Sequence, residues 1–318
     1  MSNYVKISTL GMSEPDFSSL PKDFAVYEKE MKNFLTKQLD KVLPDRPDLI
    51  VFPECANRYV PNNIPELHEY YKYLGDRMIE FLKPYAIDNN TNIAYSAYRY
   101  VEGSEPKPFR NSNIYIGRDG EIKGIYDKNH ICIGEYEDAC VSYSDDASLT
   151  ELDFGKVATA ICFDLNFDEL MYKYASQKPD LIVHSSMYHG GRRRQAQWAY
   201  TCRSFFVGSV GFGNLPCTIL NPYGDVVAES TGYTDHVSAK INLDYELCHI
   251  DYNREKFAPL KAKYKDAVTI YDPGLVGSVM ISSEISEKSA REMIKEFDIE
   301  LLDDYFARAR AHRKEHLK

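Results

Sequence analysis

Three residues of reactive type, Glu54, Lys128 and Cys162, each follow a short apolar run. Leu49-Ile-Val-Phe52 delivers Pro53-Glu54, Ile122 to Tyr126 leads to Asp127-Lys128, and Val157 to Ile161 leads to Cys162. Such runs predict buried strands, and in an open α/β sheet the strand ends gather at one edge. The three types together can cleave an acyl bond. A cysteine adds to an amide or nitrile carbon once it is a thiolate. A carboxylate beside it can take the thiol proton and later hand it to the leaving amine. A lysine ammonium can stabilise the oxyanion that develops on the carbonyl oxygen. Each residue alone has a blander reading: a buried structural thiol, a solvated loop glutamate, a surface cation. The combination is what points to catalysis.

The elements that must carry these residues can be read from the periodicity. At Cys162 the period changes from that of a strand to that of a helix, with Leu165, Leu170, Tyr172 and Tyr174 on one face and an end before Pro179. Backbone N–H groups and a helix N-terminus at such an elbow favour a thiolate. Tyr4 to Thr9 predicts a first strand and Pro21 to Val42 a helix. Asn62-Asn63 opens a further helix with Leu67, Tyr70, Leu74, Met78, Phe81 and Leu82 on its apolar face. Ile93 to Tyr98 is a strand, and Asn113 to Ile116 pairs with Ile122 to Tyr126 across the hairpin turn Asp119-Gly120. Leu181 to His184 is another strand. The polar stretch from Tyr188 to Arg194 leads into a helix through Trp198 and Phe205, and strands at 207–210, 218–220, 226–228 and 237–241 follow. Strand–helix alternation with hairpins implies two mixed sheets between helix layers. Beyond Asn242 the chain predicts a polar helix at 245–264, an apolar, glycine-broken stretch at 268–282, and a charged helix at 286–316. The last of these, a tail over 283–318, either packs across the domain or reaches a neighbouring subunit, since one amphipathic face does not say whose core it covers.

Composition narrows the function. Of 318 residues, 44% are hydrophobic and 27% charged, ample for a large core. A net charge of −10 argues against nucleic acid or an anionic membrane as partner. No basic-then-apolar leader and no spanning apolar run is visible, so a cytoplasmic location is expected. Seven cysteines, scattered and without a CxxC pair, point to reduced thiols and no metal site.

Four stretches resemble the nitrilase superfamily of carbon–nitrogen hydrolases: Val51-Phe-Pro-Glu54, Tyr126-Asp-Lys-Asn-His130, Gly134-Glu-Tyr136, and Ala160-Ile-Cys-Phe-Asp164 with Phe167-Asp-Glu169. Weaker matches are Ser185-Ser186, Arg203 and Asn221-Pro-Tyr-Gly-Asp225. The resemblance implies an α/β fold, a four-layer α-β-β-α sandwich, here over residues 1–282 with a C-terminal helical extension at 283–318 that could cross a dimer interface. It implies a homodimer or higher homo-oligomer with no metal or organic cofactor. By position, Cys162 is the expected nucleophile, Glu54 the general base and acid, Lys128 the oxyanion stabiliser and Glu135 the second glutamate. The backbone N–H of Phe163 is a second oxyanion donor. Glu137 competes with Glu135, because two residues apart on a strand both would face one side. Ser186 and Tyr188 complete the expected substrate-binding set. His130 is assigned a structural role and Trp198 a place in the core. Arg192-Arg-Arg194 is read as a solvated turn or helix start, with a substrate carboxylate as the alternative. Cys162-Phe163-Asp164 resembles the amidase and carbamoylase branches more than the Cys-Trp-Glu of nitrilases. The expected reaction is thiol-dependent hydrolysis of a linear amide or N-carbamoyl amine, releasing ammonia or an amine. The alternatives are conversion of a nitrile to an acid, or a non-catalytic binding protein.

Overall fold

In the computed structural model, which describes residues 2–60, 63–188, 191–212, 215–274 and 276–317, the apolar runs before Glu54 and Cys162 become inner strands of two six-stranded sheets, whereas the run before Lys128 is an edge strand with Ile122 and Ile125 exposed rather than buried. The first sheet takes β1 (Tyr4–Leu10), β2 (Leu49–Val51), β3 (Asn92–Tyr100), β4 (Phe109–Ile116) and β5 (Ile122–Asp127) in that order. The second takes β6 (Thr150–Leu152), β7 (Gly155–Ile161), β8 (Leu181–Ser186), β9 (Phe205–Val210), β10 (Thr218–Leu220) and β11 (Val226–Glu229). Strand β12 (His236–Asn242) returns to the first sheet beside β1. In both sheets three neighbouring strands run parallel, β1-β2-β3 and β7-β8-β9. Strands covered on both faces carry continuous apolar runs, as Leu49-Ile-Val51 does. The β4–β5 hairpin closes at Asp119-Gly120, where Gly120 has φ +78°.

Helices α1 (Phe24–Val42), α2 (Ile64–Leu74) and α3 (Arg77–Asp88) bury Met31, Leu35, Leu39, Leu67, Tyr70 and Leu82 against Ile50, Phe52, Ile93 and Tyr95 of the first sheet. The short α4 (Ile133–Glu137) follows β5. On the second sheet, α5 (Asp168–Gln177) and α6 (Arg192–Cys202) pack Met171, Tyr174, Trp198 and Ala199 on Ala158, Ile182 and Phe206. The result is the expected α-β-β-α order of layers. The inner faces meet through small hydroxyl and amide groups. Ser209 Oγ donates to Leu10 O at 2.6 Å, Ser185 Oγ donates to Phe52 O at 2.8 Å, and Tyr115 and Thr159 share a 2.6 Å bond.

Contacts divide the chain into two compact units, Lys6–Ala239 and Met1–Val5 with Lys240–Lys318. The second unit has its own core, in which Cys248, Leu260, Val268, Ile281, Met293 and Ile294 are buried. Its sheet joins β13 (Tyr245–His249), β15 (Ser278–Ser283) and β14 (Val268–Tyr271), flanked by α7 (Arg254–Tyr264), α8 (Ala290–Lys295) and α9 (Leu302–His316). The expected helix at 245–264 therefore begins as a strand, and the expected tail helix is two helices. Ser289 caps α8 by accepting from the Glu292 N–H, and Asp298 at φ +50° lies in the break before α9. The helix expected from Asn62 through Leu82 is also divided. Gly75, at φ +46°, ends α2, and its N–H reaches Tyr71 O. Asn62 lies outside the described residues; Asn63 is the cap. Among the described residues no helix is long and apolar enough to cross a membrane.

Candidate active site

Glu54 stands three residues past β2, buried at 4% exposure, with all of its oxygens engaged. Oε1 accepts from Lys128 Nζ at 2.9 Å and Asn111 Nδ2 at 2.8 Å, and Oε2 accepts from the Met187 N–H at 3.0 Å. Met187 follows β8, so the end of the second sheet helps to hold a carboxylate supplied by the first. Lys128 directly follows β5 and is 1% exposed. Its ammonium also donates to Glu135 Oε2 at 2.8 Å. Burial alone would lower its pKa, but the Glu54 and Glu135 carboxylates overcome that and hold it well above the ordinary lysine value.

Glu135 lies on α4, a helix where a strand was expected. Oε2 also accepts the Cys132 N–H at 2.8 Å, as a first-turn carboxylate does in a capping box. Oε1 accepts from Tyr98 OH and Asn111 Nδ2, both at 3.0 Å. Burial pushes its carboxyl up, but Lys128 and these donors bring it below the ordinary glutamate value. The helix also separates the two glutamates that a strand would have aligned. Two residues on a helix turn through about 200°, and Glu137 is exposed to solvent.

Cys162 ends β7 with φ +45° and opens a short 3₁₀ turn, Cys162–Asn166, before α5. Its half-buried thiol sits among the Glu54 and Ser186 side chains and the Lys128 ammonium, close enough for each to influence its ionisation. Burial and the Glu54 carboxylate raise its pKa to about 12, against the lowering effect of Lys128. The elbow therefore does not favour a resting thiolate as the sequence suggested. The turn is too short to bring a strong helix field, and the nearest carboxylate opposes ionisation. Asp164, fully buried, braces the turn. It accepts from the Ile161 N–H at 3.0 Å, from Tyr126 OH at 2.7 Å and from the His130 N–H at 2.7 Å. Tyr126 and His130 bracket Lys128, so one carboxylate ties the cysteine turn to the lysine segment. The His130 ring stacks on Phe167 at 3.8 Å, a structural placement.

Phe163 is 38% exposed beside the thiol. Ser186 is buried, its hydroxyl bonded to Tyr188 O, while the Tyr188 side chain is exposed. Arg192 pairs with Glu229, and Arg194 donates to Leu165 O at 2.8 Å and meets Asp168 at 2.9 Å. Trp198 is in the core, its Nε1 donating to Leu165 O. His189 and Gly190 of the same stretch lie outside the described residues. Sequence reading missed Tyr98 and Asn111 and gave no role to Asp164, although Asp164 lies in a matched stretch. Tyr98 and Asn111 are directly paired across β3 and β4, so their side chains share a face. The available signal was Asn111 and Asn113, two amides at strand period just ahead of the apolar Ile114-Tyr-Ile116.

The family model for carbon–nitrogen hydrolases matches residues 40–245. Omega-amidase NIT2-B of Xenopus laevis is 24% identical over 225 residues, covering 62% of this chain and 77% of that protein. A hydrolase in the agr operon of Staphylococcus aureus is 23% identical, with 72% and 89% covered. Among solved structures, Nit3 of Saccharomyces cerevisiae superposes with a TM-score of 0.62 at 17% identity, covering 76% of this chain and 90% of that one. An amidase from Nesterenkonia sp. gives 0.63 at 14% identity, covering 83% and 97%. These structures share the fold, and with the match over 40–245 the chain belongs to the carbon–nitrogen hydrolase family, in the nitrilase superfamily, as an amidohydrolase of C–N bonds other than peptide bonds.

Proposed function

We propose that this protein hydrolyses a linear amide or N-carbamoyl amine through a Cys162 thioester, releasing ammonia or an amine. The observation that carries the reading is one carboxylate, Glu54, that accepts from the Lys128 ammonium and lies near enough to the Cys162 thiol to raise its pKa. With the thiol held near 12, the sulfur keeps its proton at neutral pH and needs a base to attack. Glu54 takes that proton as Sγ bonds to the carbonyl carbon. The carbonyl oxygen becomes an oxyanion, met by Lys128 Nζ–H and the Phe163 N–H. As the C–N bond breaks, Glu54 returns the proton to the departing nitrogen. Glu54 then deprotonates a water, which adds to the thioester, and Sγ leaves with the proton. The balance is amide plus water to acid plus ammonia or amine. Glu135 holds the lysine in place throughout. The Cys162-Phe163-Asp164 flank and the omega-amidase relatives support an amide rather than a nitrile. We further infer a homodimer or higher homo-oligomer, with the tail at 283–318 crossing the interface; sedimentation as a monomer at micromolar concentration would overturn that part.

Ammonia release, assayed across amides, N-carbamoyl amines and nitriles, tests the reaction. Amide or carbamoyl turnover that vanishes in Cys162→Ala, with an acyl adduct on the intact wild-type mass, is the expected result. Turnover of nitriles alone, or full turnover by Cys162→Ala, overturns it.

A further inference from the structure

Asn111 touches all three charged members of the site. It is 1% exposed, on β4, and its Nδ2 donates to Glu54 Oε1 at 2.8 Å and to Glu135 Oε1 at 3.0 Å. Its backbone oxygen accepts the Lys128 N–H at 2.8 Å, which carries the β4–β5 ladder one bond further. The neighbours dictate which way the amide faces. Turned over, its oxygen would meet two carboxylates. As placed, the amino group meets them, and Oδ1 is buried without a hydrogen-bond partner among the described residues. An unpaired buried acceptor is unfavourable, so what this position keeps is the donor end. An amide nitrogen has two hydrogens, and one goes to each carboxylate.

The donors on Glu54 are unevenly shared. Among the described residues, Oε1 takes both Lys128 Nζ and Asn111 Nδ2, while Oε2 takes the Met187 N–H alone. A carboxylate oxygen offers about two acceptor sites. Oε1 is therefore filled, and Oε2 keeps one site open. We propose that Asn111 is a positioning residue that selects the oxygen of Glu54 on which the proton travels: with Lys128 it closes Oε1, leaves Oε2 to take and return the Cys162 proton, and holds Glu54 and Glu135 side by side on one ammonium. The proposal rests on the amidase reading and names the group that orients its base. The electrostatics agree. Two carboxylates on one ammonium repel each other, and a neutral donor between them stabilises both without adding charge. Burial raises the Glu135 carboxyl, and Lys128 and then Asn111 bring it below the ordinary glutamate value.

The test is the pH profile of kcat/KM in the wild type, Asn111→Ala and Asn111→Asp, on the amide or N-carbamoyl amine that releases ammonia fastest in the wild type. The acid limb belongs to the carboxylate pair jointly. Asn111→Ala removes the donor, and Asn111→Asp keeps the size but sets a third carboxylate on the same ammonium. The limb is expected to move to higher pH by about one to two units in Asn111→Ala and further in Asn111→Asp. At the optimum, kcat is expected to fall about ten- to a hundredfold with KM little changed. An asparagine that serves packing alone would lower Tm and kcat and leave the limb in place, and that result overturns the proposal. Should Asn111→Asp fail to fold, Asn111→Ala decides alone. Infrared difference spectra of the carboxylic-acid C=O stretch, assigned with Glu135→Gln, need no turnover. A protonated carboxyl that appears at higher pH in Asn111→Ala than in the wild type supports the proposal, and the same titration in both overturns it. A wild type that hydrolyses no amide or carbamoyl compound defeats the amidase reading, while the infrared titration still decides whether Asn111 holds the two carboxylates.

Discussion

Cys162 combines a left-handed backbone, φ +45°, with a thiol held far from its ordinary titration range. Such a conformation costs a non-glycine residue of order 1–3 kcal/mol, and the buried Asp164 beneath the turn offsets it by accepting the Ile161 N–H. The folded pKa near 12 exceeds the ordinary 9.0. The neutral thiol's contribution to stability is therefore whole below about pH 9 and is lost as pH rises toward 12. Glu54→Gln removes one cause of the shift and frees Lys128 to act on the sulfur. Thiolate absorbance at 240 nm, taken as the difference from Cys162→Ala, is expected to appear at lower pH in Glu54→Gln. Turnover in the same variant is expected to fall about 10²–10⁴-fold. A wild-type thiolate already formed at pH 8 to 9 would contradict this arrangement. Glu54, Lys128 and Cys162 were legible because each ends an apolar run. Asn111 and Tyr98 were not, because an amide or phenol within a strand reveals its partners only when register is known. Here the register sets them opposite each other, and one amide nitrogen bridges Glu54 and Glu135.

At the scale of elements, strand positions followed the apolar periodicity closely, and the departures have local causes. Gly75 breaks a helix whose apolar face runs on without interruption. Gly134-Glu-Tyr136 has too little periodicity to tell a strand from one helical turn, and only as a helix does it separate Glu135 from Glu137. The 3₁₀ turn after Cys162 could not be told from the start of α5, since both place Leu165 inward. That turn and the end of β5 are held together by Asp164. Asp164→Asn keeps the size but turns one acceptor into a donor facing the Ile161 N–H, Tyr126 OH or the His130 N–H. We expect about 1–3 kcal/mol lost in urea unfolding, and kcat lowered more than KM is changed. Lost stability with kcat intact would show that Asp164 serves folding alone.

For the molecule as a whole, the family and the layered fold were legible, while the bonding between the sheets was not. Serine and threonine in a strand look like ordinary surface positions until a second sheet is laid on them. Ser185 Oγ donates to Phe52 O and accepts from Asn113 Nδ2 at 2.9 Å, two residues from Glu54 on one side and at the end of β8 on the other. Ser185→Ala removes both bonds. Kinetics are expected to show kcat reduced about ten- to a hundredfold by misplacement of Glu54 relative to Cys162, with little change in KM. Unaltered kcat would show that the spacing is set elsewhere. The unit formed by Met1–Val5 and Lys240–Lys318 was legible only as a change of character after Asn242, because its strands are short and its helices polar.

The sulfur of Cys162 comes from one sheet, and the Glu54 carboxylate and Lys128 ammonium beside it come from the other. The reactive groups are thus brought together by both halves of the sandwich, and neither half alone would assemble them.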